Sequence, residues 1–341
     1  DLFLSQLFHN AVQAQGGTHS GKEISLAAVG GYGRGELSPG SDLDIVFLHS
    51  GKVSPENLKT FVNEVLYPLW DTKSVDHSVR TRSETREAAS ADLRVATGLL
   101  DIRYIAGNPD LVSAVQADAL DFWRKNAKEN LSHLHESLEQ RHSRAGELAY
   151  LLEPDLKEAR GGLRDIQALR AISLSAAVTV PLEKISWAEG TLNNVRESLH
   201  IASGRGKDRL LFQEQDKVAK LLNYPDADAM MSDVARAARS VDYLLDYTWH
   251  SLEHKGKDGL GRILKRPRVA TVAKNVSASN REIVIDPFTS LDDDPVVGLR
   301  AAATAAQLGL PLSLDTCTEL AEKLKTGQGK LPTPWPREAR E

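Results

Sequence analysis

Apolar residues along this chain recur with two different periods, and the change from one to the other marks its parts. From Asp1 to Gln15 they fall at Leu4, Leu7, Phe8, Ala11 and Val12, one face of a helix. Gly16-Gly17 end that stripe, and Ile24 to Val29 then forms an apolar run of strand length leading into Gly30-Gly31. A second such run, Leu43 to Leu48, follows a polar, Gly-rich turn. Ser54 and Pro55 suit a helix start, and Leu58, Phe61, Val62, Val65, Leu66 and Leu69 keep helical spacing behind them. Between Ser74 and Thr81 the period drops to two, with Val75, His77 and Val79 alternating against Asp76, Ser78 and Arg80. The pattern predicts a small sheet covered by an amphipathic helix, with His77 buried among its valines.

Beyond Ala91 the period is helical. Leu93, Thr97, Leu100 and Tyr104 share one face, as do Leu131, Leu134 and Leu138, and Met231 to Leu252 repeat at three and four residues in the manner of a bundle helix. Near the end, Val269 to Val276 and Glu282 to Ile285 flank Ser277-Ala278-Ser279-Asn280 and predict a β-hairpin. The expected fold is therefore α+β: a mixed sheet with helices over residues 1–125, then a mainly helical domain over 126–341 with a late hairpin.

Composition narrows the class. Hydrophobic residues are 41% and charged residues 26% of 341, ordinary for a globular protein. The formal charge of -5 offers no bulk attraction to nucleic acid or to an acidic membrane. Cys317 is the single cysteine, so neither an internal disulfide nor a multi-cysteine metal site can form. The first helix lacks the basic start and solid apolar block of a signal peptide, and no run approaches the roughly 20 apolar residues of a membrane span. A cytoplasmic protein without membrane or nucleic-acid partners is expected. The absence of an initial Met and the charged, Pro-rich run Pro332 to Glu341 suggest a piece of a longer chain.

The chemistry is concentrated between Val29 and Ile45. Gly30, Gly31, Gly33, Gly35, Pro39 and Gly40 make a loop whose backbone can approach a ligand closely, phosphate being the obvious one. Asp42 and Asp44 follow at spacing two, so both carboxylates leave one face of the strand while Leu43 and Ile45 turn inward. Neighbouring carboxylates raise each other's pKa unless a cation lies between them, and Mg²⁺ prefers such oxygen ligands while bridging nucleotide phosphates. Two rival phosphate motifs fail. Gly16 to Lys22 has the outline of a P-loop, but Glu23 stands where the metal-binding Ser or Thr belongs and the segment precedes its strand. Gly31, Gly33 and Gly35 lack the dinucleotide spacing.

An apolar strand, Gly30-Gly31, ten intervening residues, then Asp42-Leu43-Asp44 resembles the signature of the nucleotidyltransferase superfamily related to DNA polymerase beta. Further segments narrow the resemblance: Trp70-Asp71 with His77 to Thr81, Asp92 to Thr97, Glu153 to Glu158, Gly161 to Ile166, and Asp208-Arg209-Leu210 with Gln215. Together, over Gly30 to Tyr247, they resemble the amino-terminal half of the bacterial bifunctional uridylyltransferase/uridylyl-removing enzymes. The resemblance implies a nucleotidyltransferase-type sheet and transfer of UMP from UTP to a tyrosine of the nitrogen-regulatory PII signal protein, with AMP from ATP as the variant in some actinobacteria. Members continue into a His-Asp phosphohydrolase domain and two ACT domains; none of the ten His residues here precedes an Asp, so those domains are expected to be absent from this chain.

The resemblance implies that Asp42 and Asp44 hold Mg²⁺ and that Gly30, Gly31 and Ser41 cradle phosphate. A third carboxylate is needed to bind metal or accept the tyrosine proton, since a phenol of pKa near 10 is a poor nucleophile. Asp76, on the polar face of the next strand, is the candidate; a solvated edge-strand charge would look the same. Arg34 either contacts the triphosphate or braces the loop. Lys157, Arg164 and Asp165 surround the Gly161-Gly162 turn at a helix start, where either ligand contact or helix capping would use these residue types. The alternatives are another acceptor within the same superfamily, or a nucleotide-binding regulatory module without turnover.

Overall fold

The computed structural model describes residues 1–15, 20–70, 74–255, 270–331 and 333–340. Residues 16–19 of the P-loop-like stretch and Val269 of the expected hairpin lie outside them. The fold is α+β and separates into two compact units, Asp1–Leu252 and Glu253–Glu341. The division thus falls at 252/253 rather than at 125/126. Helices after residue 125 pack with those before it, as Trp123 shows: fully buried, it donates from Nε1 to Ala171 O at 2.8 Å.

In the first unit, β1 (Ile24–Ala28), β2 (Leu43–His49), β3 (Val75–Thr81) and β4 (Arg103–Gly107) form one sheet in the order β3-β2-β1-β4. Strand β1 is antiparallel to β2 and β4, whereas β2 and β3 are parallel. A parallel pair needs a crossover, and the helix Pro55–Trp70 supplies it. Its Phe61, Val65 and Leu66 meet Leu4 and Phe8 of the helix Leu2–Ala14 over Leu26 and Phe47 of the sheet. Phe8 and Phe61 stack edge to face, 5.0 Å between ring centres. The helix Pro109–Lys125 packs on β1, β2 and β4. Farther on, Val234, Ala238, Val241 and Leu245 line the buried side of the helix Ala227–Lys255, as their spacing predicts.

Two readings change here. Tyr104 does not continue a helical face: the helix Leu93–Leu99 ends, and Tyr104 lies on β4, where Ile105 and Ala106 are buried against β1. Its distance from Leu100 happens to match one helical turn, so the period alone could not separate the two. His77 is exposed rather than buried, because β3 is the sheet edge and only its flanking Val75 and Val79 reach the core.

The second unit carries three antiparallel strands, Ala270–Ala273, Val276–Ser279 and Glu282–Ile285, with the helices Val297–Leu308 and Leu314–Lys325. Ser277 to Ser279, expected as a turn, form the central strand. The turns lie beside it, where Asn275, Asn280 and Arg281 take φ of 59°, 53° and 63°. Asparagine tolerates that left-handed conformation better than most residues, so it ends strands that polar serines do not. Among the described residues no helix is long and apolar enough to cross a membrane.

Candidate active site

The sheet brings two of the three acids together by register. Parallel pairing sets Asp44 beside Asp76 and Leu43 beside Val75, so the two carboxylates leave the same face at the same level. Asp42 precedes β2 on that side, while Ile45 and Phe47 are buried on the other. The Val29 N–H donates to Asp44 O at 3.0 Å, and the chain then turns at Gly30, whose φ of +56° is left-handed. A Cβ there would lie 3.5 Å from Asp44 Oδ2, so backbone conformation rather than space calls for glycine. At Gly33 the reason is space: a Cβ would stand 2.1 Å from Asp101 O.

Asp42 and Asp76 are exposed and Asp44 is half-buried. Burial first, then the charges of Asp76 and Asp42, raise the Asp44 carboxyl above its usual range, while Lys157 and Arg34 oppose the shift. Hard oxygen donors in mutual repulsion fit a divalent cation. Among the described residues no group of three His, Cys, Asp or Glu side chains is arranged to hold a metal ion.

A cavity of about 790 Å³ opens over these acids. Gly30, Gly31, Arg34, Ser41, Asp42, Asp44, Asp76, Lys157 and Arg164 all line it, and Asp165 does not. Arg34 is already engaged: Nε donates to Glu36 at 2.8 Å and Nη1 to Asp101. Glu36 also receives Arg170 at 2.6 Å, and Arg170 reaches Glu189 at 2.7 Å, a chain of alternating charge along one wall. Lys157 Nζ lies 4.0 Å from Asp208 Oδ2, and Arg164 Nε donates to Glu158 at 2.6 Å.

Asp165 is fully buried. Its carboxylate accepts from Gly161 N at 2.6 Å and from Arg141 Nη2 at 2.5 Å, and His142 Nε2 stands 2.9 Å away. Burial pushes this carboxyl up, but His142 and Arg141 outweigh it and hold it below the usual range. It ties the Gly161 turn to the helix Ala127–Ala145.

Sequence reasoning assigned no role to Arg196 and His200, which reach the loop carrying Asp42, or to Asp208, which holds them both. Arg196 donates to Ser38 Oγ at 2.9 Å and to Ser41 Oγ at 3.2 Å, and through Nε to Asp208 at 2.6 Å. Arg196 interrupts an apolar stripe of Leu192, Val195 and Leu199, the one sequence sign that it has a buried partner.

Residues 16–95 match the family model described as a nucleotidyltransferase domain, and residues 129–177 and 180–249 match the model described as GlnD PII-uridylyltransferase. A bifunctional uridylyltransferase/uridylyl-removing enzyme of Streptomyces coelicolor is 42% identical over the whole chain, which spans 41% of that relative. The enzyme of that name from Mycobacterium tuberculosis is 35% identical over 93% of the chain, and the one from Cereibacter sphaeroides 35% over 80%; the chain spans 40% and 32% of them. The chain thus spans about two fifths or less of these curated relatives. The two matched models meet at the cavity, one supplying the acids and glycines, the other Lys157, Arg164, Arg196 and Asp208. With this shared cavity and identity along its full length, the chain belongs to the family of bifunctional uridylyltransferase/uridylyl-removing enzymes.

Proposed function

We propose that this chain transfers a nucleoside monophosphate, UMP from UTP in the first instance, to a tyrosine hydroxyl of the PII signal protein and releases pyrophosphate. The observation that carries the reading is the registered pair Asp44 and Asp76, with Asp42 beside them, under the Gly30 turn. The names of the relatives and of the family model support the donor and acceptor.

Asp42, Asp44 and Asp76 would hold Mg²⁺, which when bound neutralises charge on the phosphates. The Gly30-Gly31 backbone and Ser41 face the triphosphate. Lys157 and Arg164, which line the same cavity, would supply positive charge, and Arg34, held by Glu36 and Asp101, braces the loop. The tyrosine oxygen bonds to the α-phosphorus as the bond from that phosphorus to the bridging oxygen of pyrophosphate breaks. The phenolic proton must leave as the oxygen attacks, and Asp76, exposed at the sheet edge, would accept it on a carboxylate oxygen that the metal leaves free.

Incubation with purified PII, Mg²⁺ and each of the four nucleoside triphosphates, followed by intact mass, tests donor and acceptor together. A gain equal to UMP, absent with Asp42→Ala or Asp44→Ala, is expected. A gain equal to AMP would reassign the donor, and no gain with any donor would overturn the reading.

A further inference from the structure

Arg196 lies on the helix Ser186–Ser203 with only 8% of its surface exposed. A guanidinium withdrawn from water needs partners for its nitrogens, and all three have them: Nε on Asp208 Oδ1, Nη1 on Ser38 Oγ and Nη2 on Ser41 Oγ. One turn farther along, His200 Nε2 stands 2.9 Å from the same Asp208 oxygen, and the Gly40 N–H points at His200 Nδ1 across 3.3 Å. An amide can only donate, so Nδ1 accepts and the ring hydrogen sits on Nε2, directed at Asp208. Burial raises the Asp208 carboxyl, yet the bonds from His200 and Arg196 more than offset it, and the group stays ionised. The backbones close the contact: a Cβ on Gly206 would lie 2.0 Å from Gly40 O. The segment Ser38–Ser41 is thus gripped from one side by a helix and the loop after it, and the next residue is Asp42.

We propose that Arg196 is a positioning residue which, by holding Ser38 and Ser41, fixes the loop from which Asp42 projects and so sets the geometry of the carboxylate site. Ser41 Oγ accepts from Arg196 and, at 3.3 Å, from the Ser38 N–H, which leaves its own hydroxyl hydrogen to donate to a phosphate oxygen. Arginine is required because a planar fork spans two serines and a carboxylate at once. Lysine has one nitrogen at the end of a flexible stem. The proposal rests on the functional reading above only for its kinetic readout.

Four forms of the chain decide it: unaltered, Arg196→Lys, the pair Ser38→Ala with Ser41→Ala, and all three substitutions together. Each is assayed well below its thermal midpoint, for Mn²⁺ binding as a spectroscopic probe of the carboxylates and for the steady-state kinetics of UMP transfer to PII. Arg196→Lys is expected to weaken Mn²⁺ binding and to lower kcat by about tenfold or more each, the usual effect of losing a group that orients metal ligands. KM for UTP should change by less than about threefold, since the loss falls on alignment and not on nucleotide binding. The triple variant should be no worse than the serine pair, because all three act through one contact. Unaltered Mn²⁺ binding and kcat in Arg196→Lys would overturn the proposal. So would multiplied losses in the triple variant with KM for UTP raised beyond that of the serine pair, the mark of an arginine acting directly on the nucleotide. An unaltered chain that binds Mn²⁺ but transfers nothing would defeat the functional reading, and the Mn²⁺ comparison alone would still decide this one.

Discussion

Asp44 is stressed by its position. Its carboxyl is raised by burial and by the charges of Asp76 and Asp42, so ionisation at neutral pH works against the fold. Asp44→Asn should therefore raise the thermal midpoint of the metal-free chain at pH 7, by about 2 °C, while abolishing transfer. A raised acid loses its contribution to stability as pH rises through its folded pKa, so the gap between variant and parent should close on acidification through a value above 3.8. Divalent cation should raise the midpoint of the parent and leave that of Asp44→Asn nearly unmoved; equal shifts in both would refute the role of Asp44. Asp165 behaves oppositely, since its partners are already in place. Asp165→Ala, leaving Arg141 buried and unpaired, should cost about 3–5 kcal/mol in urea unfolding. Asp42 and Asp44 could be read from the chain because strand alternation alone puts two acids at spacing two on one face. Arg196 could not, because its serine partners lie more than 150 positions away and only a packed fold brings them near.

Elements were legible where one period ruled them. The helix Pro55–Trp70 follows from its period and capping residues, β1 and β2 from apolar runs of strand length and β3 from alternation, each nearly to the residue. Strand β4 was hidden because a short segment after a helix fits either period, and pairing with β1 decides its form. The same limit turned a three-stranded meander into a hairpin, for serines are permissive on a solvated strand. Contact between elements also yields an expectation. Gly206 and Gly40 touch backbone to backbone, so Gly206→Ala must push the two loops apart and should cost about 1–3 kcal/mol by thermal or urea unfolding. Gly190→Ala, on an open helix face with nothing near its Cβ, should instead be neutral or slightly stabilising.

For the whole molecule, both matched family models and every residue lining the cavity fall within the unit Asp1–Leu252. A chain ending at Leu252 should therefore keep the Mn²⁺ affinity of the longer one to within about twofold, as distant groups contribute independently. A larger loss would show that the remaining residues take part. The boundary lay beyond the reach of the sequence because helical stripes look alike on either side of residue 125, and only packing shows which of them share a core.

The parallel pairing of β2 with β3 also says something about how such a site tolerates change. The helix that crosses between them is packed into the core, but the exposed loop before it, residues 50–54, can change length through insertions and deletions. What must not change is parity: one residue added between Val75 and Asp76, with Val75 still opposite Leu43, would turn the acid to the other side of the sheet and set the added residue beside Asp44 in its stead.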